Sequence, residues 1–163
     1  MKKYTFIIPA RMESSRFYGK PLKKLNNQSI IKWVYENSLK SKYCKKAIIA
    51  TDSIQIKKYC IDNNLNYKIT GKHNCASNRV AEVALSLKEK WVVEIQGDEP
   101  LLFPHLINKF FNQISPALIK KSYDIFLSTA IIDSKESESF NTVKLIRNSR
   151  GEVTWFSRSQ IPC

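Results

Sequence analysis

IIPARMESSRFYGKPL, residues Ile7–Leu22, joins an apolar run to a loop that is rich in cations and hydroxyl groups. The run Tyr4–Pro9 predicts a buried strand. The following loop carries Arg11, Arg16 and Lys20, and its one glycine lets the backbone turn or approach a ligand closely. Ligands of parallel α/β sheets bind beyond the carboxyl ends of the strands, and arginine binds phosphate bidentately. We therefore expect a phosphate-binding loop, with a solvated cationic turn as the alternative.

This loop matches neither of the two common nucleotide-binding motifs. Ser14 stands where a P-loop needs its first glycine, and Pro21 stands where it needs a hydroxyl group for magnesium. Proline offers neither a hydroxyl nor an N–H group. The chain has four glycines and no G-x-G, which excludes the dinucleotide fingerprint.

Apolar runs alternate with helical patterns along the rest of the chain. Further strands are predicted at 47–52, 66–70, 91–96 and 123–132, and a hairpin at 143–156 around Asn148–Gly151. Helices are predicted to start at the N-cap Ser29, at Asp52 or Ser53, at Ser77 and at Pro104. This alternation predicts an α/β fold with a mostly parallel sheet and helices on both faces.

The composition is that of a globular chain, with 163 residues, 43% of them hydrophobic and 25% charged. No apolar run approaches the roughly 20 residues that span a bilayer. The apolar stretch that ends at Pro9 is also too short for a signal peptide, so we expect no membrane association and a cytoplasmic location. The four cysteines form no C-x-x-C pair, which argues against structural zinc and a disulfide framework.

The net charge of +13 is compatible with a nucleic-acid partner. However, the chain has 21 lysines and only 6 arginines, and the lysines are scattered in pairs. Specific nucleic-acid surfaces favour arginine, which makes bidentate and stacking contacts. We therefore do not expect nucleic acid to be the main partner.

A second candidate segment is Gln96-Gly97-Asp98-Glu99-Pro100, directly after the predicted strand at 91–96. Magnesium in proteins is typically bound by one or two carboxylates together with substrate phosphates. Asp98 is the candidate ligand, and the amide of Gln96 is suited to reading a base edge. A simple acidic turn is the alternative interpretation.

A third candidate segment, His73–Arg79, precedes a predicted helix. Ser77 is the expected N-cap, and the N-terminus of this helix would favour an anion. Arg79 would lie in the first turn, where a cation is unfavourable to the helix dipole, which indicates another role for it. His73 alone is weak evidence of a site, because a lone histidine is more often structural.

These segments together resemble a known family, the CMP-KDO synthetases (3-deoxy-manno-octulosonate cytidylyltransferases). The resemblance covers the whole chain and rests on motifs in the right order: IPAR-x-x-S-x-R-x-x-GKPL, ATD, H-x-x-x-x-x-R with AEV, QGDEP, NTVK and G-x-V-T-WFSR-x-x-IP. IPAR…GKPL alone would indicate only a sugar nucleotidyltransferase. The combination of QGDEP with FSR-x-x-IP makes the resemblance specific.

The resemblance implies a nucleotide-diphospho-sugar transferase (glycosyltransferase-A-like) fold. The implied reaction joins CTP to a 2-keto-3-deoxy sugar acid, giving CMP-KDO and pyrophosphate for lipopolysaccharide or capsule synthesis. It implies catalytic roles for Arg11, Lys20 and Asp98, with Asp98 holding Mg²⁺. The implied nucleotide-binding residues are Pro9, Ala10, Arg11, Ser15, Arg16, Lys20, Ala76, Ser77, Arg79, Gln96 and Gly97. The implied sugar-acid-binding residues are Asn141, Lys144 and Arg158.

The chain departs from the family pattern at two places that bear on function. Ala76 stands where the family pattern has a glycine, and the resemblance implies that the backbone there approaches the cytosine or ribose. We therefore expect the added methyl group to alter nucleotide affinity and base choice. The chain also stops just after FSR-x-x-IP, where family members continue with much of the dimer interface, sugar-acid contacts and a second metal-binding aspartate. Residues 1–163 are thus expected to form a single cytidylyltransferase domain that lacks this portion. We expect it to bind CTP weakly, to turn over poorly or not at all, and to lack most of the family's dimer interface.

Two other functions stay open at this point. One is a cytidylyltransferase that acts on another acidic sugar or on a phosphonate. The other is a non-catalytic nucleotide-binding or nucleic-acid-binding module, which would bind RNA or DNA with a steep salt dependence.

Overall fold

A computed structural model describes residues 2–13, 17–120 and 123–161 of the chain, which forms two compact units, Met1–Asp124 and Ile125–Cys163. The first unit contains β1 (Tyr4–Pro9), a 3-10 helix (Lys20–Leu22), β2 (Lys24–Leu25), β3 (Gln28–Ser29), α1 (Ile30–Leu39), β4 (Cys44–Thr51), α2 (Ile54–Asp62), β5 (Tyr67–Ile69), α3 (Ala76–Leu87), β6 (Val92–Glu94) and α4 (Pro104–Lys120). The second unit contains α5 (Ser134–Glu138), β7 (Lys144–Arg147) and β8 (Val153–Ser157).

Four parallel strands form the sheet of the first unit, in the order β5-β4-β1-β6. β1 pairs with β4 on one side and with β6 on the other, and all six of its residues are buried. β4 pairs with β5 at its outer edge. A strand buried on both faces needs a continuous apolar run, which is the pattern that predicted β1 and β4.

Helices cover both faces of this sheet. On one face, Phe6 of β1 lies in a core cluster with Ile31 of α1 and Phe111 of α4. On the other face, Ile7 packs with Val83 of α3. Each such fully buried side chain contributes about 1.5–3 kcal/mol relative to an exposed one. The arrangement confirms the predicted α/β class.

Hydroxyl caps fix the starts of two helices at the predicted residues. The Oγ atom of Ser29 accepts a hydrogen bond from the backbone N–H of Lys32 at 3.2 Å. The Oγ atom of Ser53 accepts one from the N–H of Ile56 at 3.3 Å. A side-chain cap satisfies one of the unpaired N–H groups in the first helical turn. Pro104 begins α4, as predicted from its preference for the first helical position.

The prediction of Ser77 as the N-cap of α3 was wrong. The helix begins at Ala76, and its N-cap is Cys75, which makes no side-chain capping bond. The start of the helix is instead attached to the preceding segment by Arg79, whose guanidinium group donates to Thr70 and to the carbonyl oxygen of Gly71.

The predicted strand at 123–132 was also wrong. These residues form neither strand nor helix, and Ile125 and Ile131 are exposed. An apolar run becomes a strand only when a neighbouring strand supplies ladder hydrogen bonds, and no strand among the described residues pairs with this run.

Antiparallel hairpins complete the two units. β7 pairs with β8 around Asn148–Gly151, as predicted. β2 pairs with β3 through Asn26 and Asn27, whose φ values of 49° and 64° suit the two-residue turn that links them. Within the described part of the chain, no helix is both long and apolar enough to cross a bilayer.

Candidate active site

An open cleft of about 250 Å³ lies at the carboxyl ends of β1 and β6. Its lining combines the phosphate loop, the QGDEP turn and the segment before α3: Pro9, Ala10, Arg11, Glu13, Lys20, Pro21, His73, Cys75, Ala76, Arg79, Gln96, Gly97 and Asp98. Among the predicted nucleotide-binding residues that the structure describes, only Ser77 is not part of this lining. Ser15 and Arg16 lie outside the described residues. The three motifs thus meet at one edge of the sheet, as parallel topology requires.

Gly97 brings the QGDEP turn into direct contact with the end of β1. A Cβ atom at this position would lie 2.6 Å from the carbonyl oxygen of Pro9 and 3.2 Å from the Cδ1 atom of Ile31. The turn is held from the other side by buried Asn37, whose amide donates to the carbonyl oxygen of Pro100 at 3.0 Å. These contacts fix the position of Asp98 beside the phosphate loop.

The phosphate loop reaches the cleft through a left-handed glycine. Gly19 has a φ of 70° and donates its N–H to the carbonyl oxygen of Met12 at 2.9 Å. This turn leads into the 3-10 helix that begins at Lys20. Only glycine adopts such a φ without steric cost, so its place immediately before Lys20 is dictated by backbone geometry.

Lys20 and Asp98 form an ion pair across the cleft. The Nζ atom of Lys20 lies 2.7 Å from the Oδ2 atom of Asp98, and the two side chains are 38% and 48% exposed. Both groups are therefore accessible to a ligand. Burial, reinforced by the charge of Asp98 and opposed by Lys20, raises the pKa of the neighbouring Glu99 above its ordinary value.

The cleft fits a metal ion that arrives with a nucleotide. Among the described residues, no group of three or more His, Cys, Asp or Glu side chains lies close enough together to hold a metal ion. Asp98 offers one carboxylate next to cationic side chains suited to phosphate. Because magnesium is typically held by one or two carboxylates and the phosphates of the substrate, this donor set suits a metal–nucleotide complex.

Two further side chains in the cleft make local contacts. The Nη1 atom of Arg11 donates to the carbonyl oxygen of Asn74 at 3.4 Å, which links the phosphate loop to the segment before α3. The Nε2 atom of Gln96 donates to the Oε1 atom of Glu94 at 2.6 Å. This bond to Glu94 fixes the orientation of the Gln96 side-chain amide, including its oxygen.

Arg79 is the most deeply buried charged side chain among those that line the cleft. Its side chain is 3% exposed, and its Nη2 atom lies 2.8 Å from the Oδ2 atom of Asp52. Its Nη1 atom donates to the Oγ1 atom of Thr70 and to the carbonyl oxygen of Gly71. Asp52 and Thr70 were not predicted from the sequence to be part of the site. The available signal was the cation in the first turn of α3, since such a charge needs a carboxylate partner.

His73 and Glu82 form a second polar pair next to Arg79. The Nε2 atom of His73 lies 2.5 Å from the Oε2 atom of Glu82, and the N–H of Gly71 donates to both carboxylate oxygens of Glu82. The hydrogen bond from His73 is the main cause that holds the pKa of Glu82 below its ordinary value. The sequence marked His73 only weakly, because its partner lies nine residues away on a helix.

The three residues predicted to bind the sugar acid lie together within the second unit. The Nη1 atom of Arg158 donates to the carbonyl oxygen of Asn141 at 3.1 Å. Lys144 is buried, and its ammonium group donates to the carbonyl oxygens of Ser139, Thr142 and Arg158. These bonds hold the hairpin of the second unit together. A role of these residues toward a sugar acid stays a prediction.

A parallel α/β sheet with a cationic loop after its first strand and an acidic turn after β6 defines a nucleotidyltransferase-like protein. Residues 5–163 match the cytidylyltransferase family model, and the chain belongs to this family. The 3-deoxy-manno-octulosonate cytidylyltransferase of Leptospira interrogans serovar Lai is 36% identical, over 99% of this chain and 66% of its own length. That of Syntrophotalea carbinolica is 33% identical, over 97% of this chain and 63% of its own length.

Solved structures agree with this assignment. The structure of CMP:2-keto-3-deoxy-manno-octonic acid synthetase complexed with CTP matches 99% of this chain with a TM-score of 0.82 and 26% identity, and the match covers 66% of that protein. A cytidylyltransferase from Leptospira borgpetersenii shares the fold, with a TM-score of 0.59 and 20% identity. The predicted nucleotide-diphospho-sugar transferase fold is thereby confirmed. The chain spans slightly less than two thirds of the length of the two curated relatives and of the protein in the CTP complex, from 63% to 66%.

Proposed function

We propose that the cleft binds CTP together with Mg²⁺, and that the chain takes part in the transfer of CMP from CTP to 3-deoxy-manno-octulosonate (KDO). The observation that carries this proposal is the accessible pair of Lys20 and Asp98, 2.7 Å apart, between the phosphate loop and the QGDEP turn. A cation for phosphate and a carboxylate for metal are thus side by side. The relatives named as KDO cytidylyltransferases and the matching CTP complex support the choice of substrates.

The proposed reaction needs no nucleophilic side chain. The anomeric hydroxyl oxygen of the sugar acid forms a bond to the α-phosphorus of CTP, and its proton passes to water. The bond between this phosphorus and the oxygen that leads to the β-phosphate breaks, and pyrophosphate leaves with the electron pair. Arg11 and Lys20 contribute by holding the triphosphate and neutralising the charge that develops on it.

Asp98 is the residue that would hold the metal. Magnesium bound with CTP supplies neutralising charge and orients the phosphate oxygens. The carboxylate of Asp98 now accepts a bond from Lys20, so each partner has to exchange this contact for one to the incoming complex. Their exposure allows the exchange without opening the core.

The nucleoside is proposed to lie against the segment before α3. Ala76 and Gln96 line this part of the cleft, with Pro9 and Ala10 at the end of β1. The additional methyl group of Ala76 narrows the space available to the base or ribose. Asn141, Lys144 and Arg158 are proposed to bind the sugar acid, in a pathway that makes lipopolysaccharide or capsule. Weak turnover, the lack of most of the family's dimer interface and a cytoplasmic location also stay predictions.

Product analysis tests this function. The chain is incubated with CTP, Mg²⁺ and either KDO or a panel of other 2-keto sugar acids and phosphonates, and the CMP esters are identified by mass spectrometry. We expect slow formation of CMP-KDO that stops in the Asp98→Asn variant. A CMP ester with a different acid as the best product would replace KDO as the substrate. Absence of every CMP ester would contradict the transfer reaction for this chain.

A further inference from the structure

The guanidinium group of Arg79 is used within the protein. Only 3% of its side chain is exposed, and it contacts Asp52, Thr70 and the carbonyl oxygen of Gly71. A cation this deeply buried is costly unless a carboxylate neutralises it, and Asp52 lies 2.8 Å away. Both Nη atoms of Arg79 are thus hydrogen-bonded within the protein, although the residue lines the cleft.

This group joins three elements at the edge of the sheet. Asp52 directly follows β4, Thr70 directly follows β5, and Arg79 lies in the first turn of α3. The two strand ends are already paired, because the N–H of Thr70 donates to the carbonyl oxygen of Thr51 at 2.9 Å. Arg79 therefore attaches the start of α3 to a rigid part of the sheet.

The same face of α3 holds the segment that enters the helix. Glu82 lies one turn after Arg79, so the two side chains are neighbours on the helix surface. The carboxylate of Glu82 accepts the N–H of Gly71 at 3.1 and 3.3 Å and pairs with His73 at 2.5 Å. The segment from Gly71 to Cys75 is thus bound at two places to α3, and it supplies His73 and Cys75 to the cleft wall.

We propose that Asp52 is a positioning residue for nucleotide binding, which acts through Arg79 on the cleft wall formed by the segment from Gly71 to Cys75. This inference rests on the proposed function for its ligand, CTP. Removal of the Asp52 charge leaves a buried cation in the first turn of α3, where the helix dipole also disfavours it. Arg79 then moves toward water, and the wall loses the bond from Arg79 to the carbonyl oxygen of Gly71, while its bonds to Glu82 remain.

Equilibrium CTP binding to the chain, measured by calorimetry with Mg²⁺, tests the positioning role. Asp52→Asn keeps the shape of the side chain and removes its charge. We expect it to weaken CTP binding roughly tenfold or more, by analogy with metal sites, where loss of a residue that orients a ligand-binding side chain has an effect of this size. Asp52→Glu keeps the charge and should bind CTP nearly as well as the unmodified chain. Asp62→Asn is the matched control, because Asp62 forms an exposed ion pair with Lys58 and should leave CTP binding unchanged.

A double-mutant cycle separates positioning from direct contact. If Asp52 acts through Arg79, the double variant Asp52→Asn with Arg79→Gln should bind CTP no more weakly than Arg79→Gln alone. An Arg79→Gln variant that loses affinity while Asp52→Asn keeps it would mean that Arg79 contacts the nucleotide itself, which overturns the proposal. Thr70→Val removes another partner of Arg79 with little change in shape, and it serves if Asp52→Asn does not fold.

Hydrogen exchange gives a readout that does not depend on CTP. We expect faster amide exchange at residues 71–76 in Asp52→Asn and Thr70→Val, and unchanged exchange there in Asp62→Asn. Unchanged exchange in all variants would overturn the proposal. If the unmodified chain binds no CTP while exchange at 71–76 rises as expected, the proposed function fails and the role of Asp52 in holding this segment stands.

Discussion

Replacement of Lys20 by alanine separates stability from nucleotide binding. The Lys20–Asp98 pair is exposed, with side-chain exposures of 38% and 48%. Exposed ion pairs contribute only about 0–1 kcal/mol to the free energy of unfolding, because solvent screens them. We therefore expect a Lys20→Ala variant whose melting temperature falls by no more than roughly 2–4 °C.

The loss of CTP affinity should be larger. A hydrogen bond to a charged group is worth about 1.5–3 kcal/mol, which corresponds to roughly 10- to 150-fold in the dissociation constant. Calorimetric titration with CTP and Mg²⁺ measures this change, and differential scanning fluorimetry measures the melting temperature. Lys58→Ala is the matched control, since Lys58 forms an exposed pair with Asp62 at 3.0 Å away from the cleft. Unchanged CTP affinity in Lys20→Ala, or an equal loss in Lys58→Ala, would refute the reasoning.

Three other residue sets give independent predictions. Gly97→Ala places a Cβ atom 2.6 Å from a backbone oxygen and should lower the free energy of unfolding by about 1–3 kcal/mol in urea denaturation. In a variant whose C-terminal cysteine is replaced by serine, maleimide at neutral pH should label exposed Cys75 before buried Cys44 and Cys60. Burial raises the pKa of the Cys44 and Cys60 thiols to about 11, which slows their reaction. CTP with Mg²⁺ should slow the labelling of Cys75. Ionised Glu82 stabilises the fold at pH values above its ordinary pKa of 4.5, and this stabilisation is lost as the pH falls through its lower pKa in the folded protein. The Glu82→Gln variant should therefore lose less stability than the unmodified chain as the pH is lowered.

Each of these results has a clear opposite. A Gly97→Ala variant as stable as Gly71→Ala, whose added Cβ atom meets only an ordinary contact at 3.7 Å, would mean that the turn can move away from β1. Cys75 labelling that CTP does not slow would place the nucleotide outside the cleft. If the unmodified chain and the Glu82→Gln variant lose stability equally as the pH falls, the Glu82–His73 pair does not contribute to stability.

The sheet could be predicted from sequence because its two central strands, β1 and β4, are largely buried. β1 and β4 read as continuous apolar runs, and hydroxyl caps at Ser29 and Ser53 mark the helices between the strands. Tyr123–Ile132 carries the same apolar signal, yet it pairs with no strand among the described residues. The local sequence pattern indicates that a segment can form a strand. Whether a neighbouring strand is available to pair with it depends on the tertiary structure.

The sequence was sufficient to predict which loops form the cleft, but not the hydrogen bonds and ion pairs between their side chains. Loops after parallel strands converge by topology, which is why Lys20 and Asp98 meet across 78 residues of sequence. The bonds that hold Arg79 connect two strand ends and a helix start, so no local spacing reveals Asp52 as its partner. Its unfavourable place in the first turn of α3 was the only local indication.

Nucleotide selectivity measures the central claim most directly. The chain is titrated calorimetrically with CTP, UTP, ATP and GTP, each in the presence of Mg²⁺ and again with EDTA. We expect CTP to bind at one site and more tightly than the other three, with an affinity that falls when the metal is removed or when Asp98 is replaced by asparagine. Equal affinity for purine nucleotides, or CTP binding that neither EDTA nor Asp98→Asn weakens, would contradict a metal-assisted CTP site in this cleft.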